Sequence, residues 1–343
     1  TLKTVWLQET LTLANAYAPR PDTTYLVDNL FALPSLNILY GNSGTLKSMI
    51  LADLAMCIAT GRDWLQPLQH EAGIIKPKPV VQAPVLWIDF DNGRNRTLNR
   101  FRAFGRTYQA PENSPVNIIS FPSAPFDATK TGAVIEVSEY IQEIGAKFVI
   151  VDNLLTVSGG KDENSAEIAA GLINLRFICE QTGSAIVVIH HSRKDTGFRG
   201  RTGDDIRGHS SIRGEIDLAL FVHRDDYSDI ITMKSTKTRD NDVDPFGALW
   251  TYTHNPNGRE LETAAFFGQK VQGVESSADI ENAIIEVLTQ AGKALNQSEL
   301  LIKLKAAGVQ AGRDRVRGIA NRMVNSMALK TSKGAKGAIT YSL

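Results

Sequence analysis

Residues 41–48 read Gly-Asn-Ser-Gly-Thr-Leu-Lys-Ser and stand between an apolar run at 36–40 and a helical stretch at 49–59. A glycine-bearing turn from strand to helix lets backbone N–H groups converge on phosphate oxygens, and the helix start adds partial positive charge. This is the chemistry of a nucleoside triphosphate site. Gly41, Asn42, Ser43, Gly44, Thr45 and Leu46 wrap the phosphates, Lys47 neutralises them, the Ser48 hydroxyl ligates Mg²⁺, and Met49 opens the helix behind them. Leu46 stands where the usual pattern carries glycine. That predicts a right-handed helical backbone at Leu46, with Gly44 taking the tightest point of the turn.

Breaking a phosphoanhydride also needs a carboxylate to support the metal and a group to orient the attacking water. Residues 148–152 form an apolar run ending in Asp152, the expected Mg²⁺-site acid opposite Ser48. Residues 85–91 end in Asp-Phe-Asp, and Asp91, at the strand end, is expected to orient or activate water. Asp89 shares its face one pleat deeper and is expected to be structural. Residues 185–189 run into His190-His191; adjacent strand residues cannot share a face, so one histidine faces the site and its neighbour the sheet's flank. Neither Cys nor a further His stands at metal-ligand spacing from them.

Such groups need strands to carry them. Short apolar runs at 84–90, 116–121, 148–152, 185–190, 218–223 and 230–234 alternate with helical-period segments, which predicts an α/β fold. A mainly parallel twisted sheet flanked by helices follows, with chemistry at the strands' C-terminal ends. Lys+Arg and Asp+Glu are equal at 37 each, so nucleic-acid affinity must come from local patches. Cys57 and Cys179 sit in apolar helical segments and read as buried hydrophobes in a reducing compartment. No apolar run approaches the roughly 18 residues of a membrane span and no signal-peptide core is present, so a cytoplasmic protein without membrane partners is expected.

In their order, these motifs over roughly residues 25–255 resemble the RecA-like hexameric ATPases of the plasmid replicative helicase RepA type, an AAA_25-like class. The shared features are the phosphate loop, the strand ending in Asp91, Asp152 followed by a Gly- and Asp/Glu-bearing loop at 158–164, His190-His191 before a basic loop, and Arg207-Gly208 before a further strand. Family members commonly carry Glu where Asp91 stands. The resemblance implies a RecA-like P-loop NTPase that uses ATP and Mg²⁺ in a ring of six copies. It implies that His191 links the γ-phosphate to DNA, and that Lys237 and Arg239 act on the neighbouring subunit's site. The long polar segment after His191 carries Arg193, Lys194, Arg199, Arg201 and Arg207, which would line the ring channel and follow single-stranded DNA; a surface loop of balanced charge is the other reading.

The pattern changes near residue 274. Residues 1–24 read as an N-terminal helix and linker, 25–273 as the ATPase domain, 274–278 as a linker, and 279–343 as a small winged helix-turn-helix domain. Arg313, Arg315 and Arg317 on its third helix and Lys333 on its wing form a basic concentration suited to duplex DNA; a protein-interaction module is the alternative. The whole reads as an ATP-dependent DNA helicase or translocase of a plasmid, phage or mobile element. The alternatives are an ATP-controlled, DNA-bound assembly switch or loader, or a winged-helix regulator with a weak ATPase.

Overall fold

The computed structural model describes residues 1–69, 75–159, 166–191, 214–239, 243–271, 276–333 and 338–343. In chain order the first half holds α1 (Leu2–Glu9), α2 (Leu13–Tyr17), β1 (Thr24–Val27), β2 (Phe31–Leu33), β3 (Ser35–Gly41), α3 (Lys47–Thr60), β4 (Val85–Asp89), α4 (Arg94–Tyr108), β5 (Val116–Ser120) and α5 (Thr131–Glu143). Then come β6 (Phe148–Asp152), α6 (Leu154–Val157), α7 (Ala166–Thr182), β7 (Ala185–His191), β8 (Leu218–Arg224), β9 (Ile230–Thr238), β10 (Phe246–His254) and β11 (Leu261–Gln269). The C-terminal part holds α8 (Ser277–Ala291), β12 (Leu295–Asn296), α9 (Gln297–Ala306), α10 (Arg313–Asn325), β13 (Lys330–Lys333) and β14 (Ile339–Ser342).

One nine-stranded sheet in the order β11-β10-β9-β8-β3-β7-β6-β4-β5 organises the main part. From β8 to β5 every neighbouring pair is parallel, and β9, β10 and β11 add antiparallel at one side. The reason lies in the period of β6. Phe148 and Ile150 enter a core shared with α3 and α4, whereas Val149 and Val151 enter a second core shared with α5 and α7. A strand apolar on both faces must be covered on both, which gives a sheet between two helical layers. The four motif-bearing strands β3, β7, β6 and β4 are consecutive in the sheet, so their C-terminal ends meet at one edge.

The sequence reading missed the β10–β11 hairpin, whose Trp250 and Phe266 rings pack tilted against each other in the α3–α4 core, 4.6 Å between centroids. Residues 1–24, read as one helix and a linker, carry the two short helices α1 and α2 instead. Neither buries a side chain, so nothing in the fold favours a continuous helix across Thr10 to Thr12.

Residues 280–341 contribute a third, separate apolar cluster, built from α8, α9, α10 and a three-stranded antiparallel sheet in the order β12-β14-β13. Asn296 caps α9, accepting from the amides of Ser298 and Glu299 while the Glu299 carboxylate accepts from the Asn296 amide. Among the described residues, no helix is long and apolar enough to cross a membrane.

Candidate active site

The phosphate loop leaves β3 at Gly41. A Cβ built there would lie 2.3 Å from the Val222 carbonyl oxygen on β8, so only glycine lets the two strands approach. Gly44 turns the loop at φ +83. Leu46 departs from expectation: it holds φ 64, ψ 23, in the left-handed region rather than the right-handed one. Its side chain compensates by packing against the α3–α4 core. Leu46→Gly is therefore expected to keep unfolding stability within about 1 kcal/mol of wild type, relief of strain offsetting lost burial. Leu46→Ile, branched at Cβ, should lower it by about 2 kcal/mol in urea titration.

No side chain caps α3, so the amides at its start face the loop without an internal acceptor. The buried Lys47 Nζ donates to the carbonyls of Gly41 and Asn42 at 2.9 and 2.8 Å. Burial lowers its pKa to about 8, against the pull of Asp152 and Asp91. Thr45 closes the loop through Oγ1 to the Asn42 carbonyl at 2.9 Å.

Ser48 Oγ donates to Asp152 Oδ2 at 2.7 Å, joining the loop to the end of β6. Asn92 Nδ2 donates to the same oxygen at 3.0 Å. Asp152 Oδ1 is buried with no hydrogen-bond partner among the described residues. Burial raises the Asp152 pKa to about 6, aided by repulsion from Asp91 and Asp89. An orphaned carboxylate oxygen beside a hydroxyl, both hard oxygen donors, fits a divalent cation such as Mg²⁺. β4 ends at Asp89, so Asp91 is not at the strand end as expected but exposed in the turn two residues beyond it, with Asn153 Nδ2 3.3 Å from its Oδ1.

Asp89 is structural, as expected. Fully buried, it accepts from the amides of Asp91 and Asn92, from Thr97 Oγ1 and from Ser120 Oγ. Burial pushes its pKa up, and these four bonds outweigh that and hold it low. The bonds fix the turn that presents Asp91 and Asn92.

Register sets the histidines beside the loop: Tyr40 pairs with His190 and Gly41 with His191. His190 is buried and its pKa falls to about 4, from burial first, then His191 and Lys47. Burial and Lys47 also lower His191, which is half-buried, so both imidazoles are neutral at pH 7.

Other expected residues lie elsewhere. Lys237 pairs with Ala219 near the start of β8, at the sheet edge opposite the phosphate loop. Just beyond β9, Arg239 forms an ion pair with Asp217 at 3.4 Å and donates to the Gly214 carbonyl. Both are remote from the phosphate loop. Arg193, Lys194, Arg199, Arg201 and Arg207 lie outside the described residues. Arg313, Arg317 and Lys333 are exposed, Arg317 beside Asp314 at 3.1 Å, but Arg315 is ion-paired to Asp244 at 3.0 Å.

Sequence reasoning missed Asn92, Arg100 and Arg224. Arg100 on α4 has a buried Nη1 without a hydrogen-bond partner among the described residues; burial lowers its pKa against the attraction of Asp152. Spaced four residues from Arg96, it reads in sequence as part of a solvated basic face. Arg224 Nη1 reaches the Gly44 carbonyl at 3.3 Å from the end of β8, a contact no local pattern encodes. Beside the loop a cleft of about 1110 Å³ opens between Leu46, Met49, Asn92, Arg100, Trp250 and His254.

No curated protein matches the chain. Among solved structures, the KaiC-like protein PH0186 of the hyperthermophilic archaeon Pyrococcus horikoshii OT3 is similar over 71% of this chain and 94% of its own, with 13% identity and a TM-score of 0.43. A family model described as an AAA domain, AAA_25, matches residues 4–197. That is more than half of the chain, and the chain belongs to the AAA_25 family of ATPase domains.

Proposed function

We propose that this chain is an ATP-dependent DNA helicase or translocase of the plasmid replicative RepA type, working as a ring of six copies in the replication of a plasmid, phage or other mobile element. The observation that carries the ATPase half is the Ser48–Asp152 contact at 2.7 Å beside an Asp152 Oδ1 without a partner among the described residues. Ser48 and Asp152 would hold Mg²⁺, which neutralises charge on the β- and γ-phosphates. Lys47 leaves the loop carbonyls for phosphate oxygens, and Arg100 offers a buried donor that lacks an acceptor among the described residues. Asp91 orients the attacking water, and neutral His191, level with Gly41, donates a hydrogen bond toward the γ-phosphate. The cleft beside Leu46 and Trp250 is large enough for the nucleoside.

The motor half rests on the motif order and on Lys237 and Arg239, which stand away from their own loop, where a group serving a neighbouring subunit must stand. Residues 193–207 would follow single-stranded DNA, and the C-terminal residues 279–343, as a winged helix, would meet duplex.

The test is ATP hydrolysis by the full chain with and without single-stranded DNA, with oligomer mass recorded, beside Lys47→Ala and Arg239→Ala. We expect a ring whose turnover rises with DNA, and a loss of about 10²-fold or more in both variants. Rings with slow, DNA-indifferent turnover would sink the helicase reading and favour an ATP-controlled assembly switch.

A further inference from the structure

α10 carries Arg313, Arg315, Arg317 and Arg322, and they do not share one environment. Arg315 Nη2 lies 3.0 Å from Asp244 Oδ1, and Arg322 Nη2 donates to Ser277 Oγ at 3.0 Å. Ser277, the first residue of α8, gives both its amide and its hydroxyl to the Asp244 carboxylate, each at 2.7 Å. Asp244 precedes β10 in the ATPase part of the chain. One ATPase-side carboxylate thus gathers a helix-start amide, a hydroxyl and a guanidinium from the C-terminal unit. These are the donor types that hold a nucleic-acid phosphate. The contacts border a cleft of about 350 Å³ that also takes in Lys234 and Asp314.

We propose that Asp244 is a latch occupying the phosphate-binding face of α10, and that this face, once released, takes the phosphate backbone of duplex DNA. The inference rests on the nucleic-acid reading of residues 279–343 given above. The Asp244 carboxylate already takes Arg315 Nη2, the Ser277 amide and the Ser277 hydroxyl, the donors a phosphate would use, so docking on the ATPase part and duplex binding compete. In the docked state Arg313 and Arg317 alone of the four remain exposed, which leaves a weak footprint.

The experiment measures binding of the full chain to a labelled DNA duplex across a salt series, with amide exchange at Ser277 reporting undocking. Asp244→Ala is expected to speed exchange at Ser277, tighten duplex binding about fivefold, and steepen the salt dependence by about one to two phosphate contacts. Asp244→Glu should restore wild-type behaviour, and Arg315→Ala added to Asp244→Ala should remove the gain. Faster exchange without tighter binding overturns the proposal, as does a gain that survives Arg315→Ala. If Asp244→Ala fails to fold, Asp244→Asn takes its place; unchanged exchange in the folded variant also overturns the latch. Failure of the helicase reading is separate, since it shows in wild-type turnover with single-stranded DNA and leaves the duplex gain intact.

Discussion

Asp152→Asn is expected to lower ATP turnover about 10²–10³-fold and to raise the Mg²⁺ concentration needed for half-maximal rate at least about tenfold. Asn keeps the size of the side chain and can keep the bonds from Ser48 and Asn92. What it removes is the negative charge on a buried group whose second oxygen has no partner among the described residues. Burial and the neighbouring Asp91 and Asp89 already disfavour that charge, which pushes the carboxyl up to about 6. A carboxylate held at such cost implies a cation that repays it on binding. Steady-state hydrolysis at varied Mg²⁺ checks this, and a variant within about threefold of wild type would place the metal acid elsewhere.

Stability of the phosphate-loop helix should depend on pH through Asp53. On α3, Asp53 is wholly buried in the α3–α4 core. Trp64 Nε1 donates to it at 2.9 Å and the Phe266 amide at 3.3 Å, with a further bond from Tyr108 Oη. Burial pushes its pKa from 3.8 to about 7, and these donors only partly oppose that. A pKa raised on folding contributes stability that is fully present below the unfolded value and is lost as pH rises through the folded one. Asp53 should therefore weaken the fold by about 3 kcal/mol between about pH 5 and about pH 8. His190, buried neutral with its pKa near 4, acts in the opposite sense as pH falls. Comparing wild type with Asp53→Asn by urea unfolding at each pH cancels His190 and leaves Asp53. A wild-type-minus-variant difference that stays flat across this range would mean that Asp53 is ionised throughout.

Much of the site was legible in the chain. Residues 41–48, Asp91, Asp152 and His190-His191 each end an apolar run, and a strand buried on both faces announces itself without knowledge of its neighbours. The structural part of Asp89 was expected from pleat alternation with Asp91, but the strand ends at Asp89, and it is the turn amides it accepts from that fix its role. The β10–β11 hairpin was not, because residues such as Gly247, Thr251 and Thr253 dilute its apolar pattern; it is a strand pair through Trp250 and Phe266 packing on α4. Leu46 was misjudged for a related reason. A backbone dihedral at a strand-to-helix junction is set by where both elements are anchored, and local sterics alone favoured the other region.

Local spacing, then, picked out a phosphate-loop sequence and the parallel strands that flank it, since loop geometry and strand period are properties of neighbours in sequence. Tertiary structure alone decided the long-range pairings: Ser48 and Asn92 on Asp152, Arg239 on Asp217, and Arg315 on Asp244. A charged side chain is satisfied by whichever opposite charge or hydrogen-bond partner the fold brings within a few ångströms. For Arg315 that partner is a carboxylate 71 residues away, which no local pattern records.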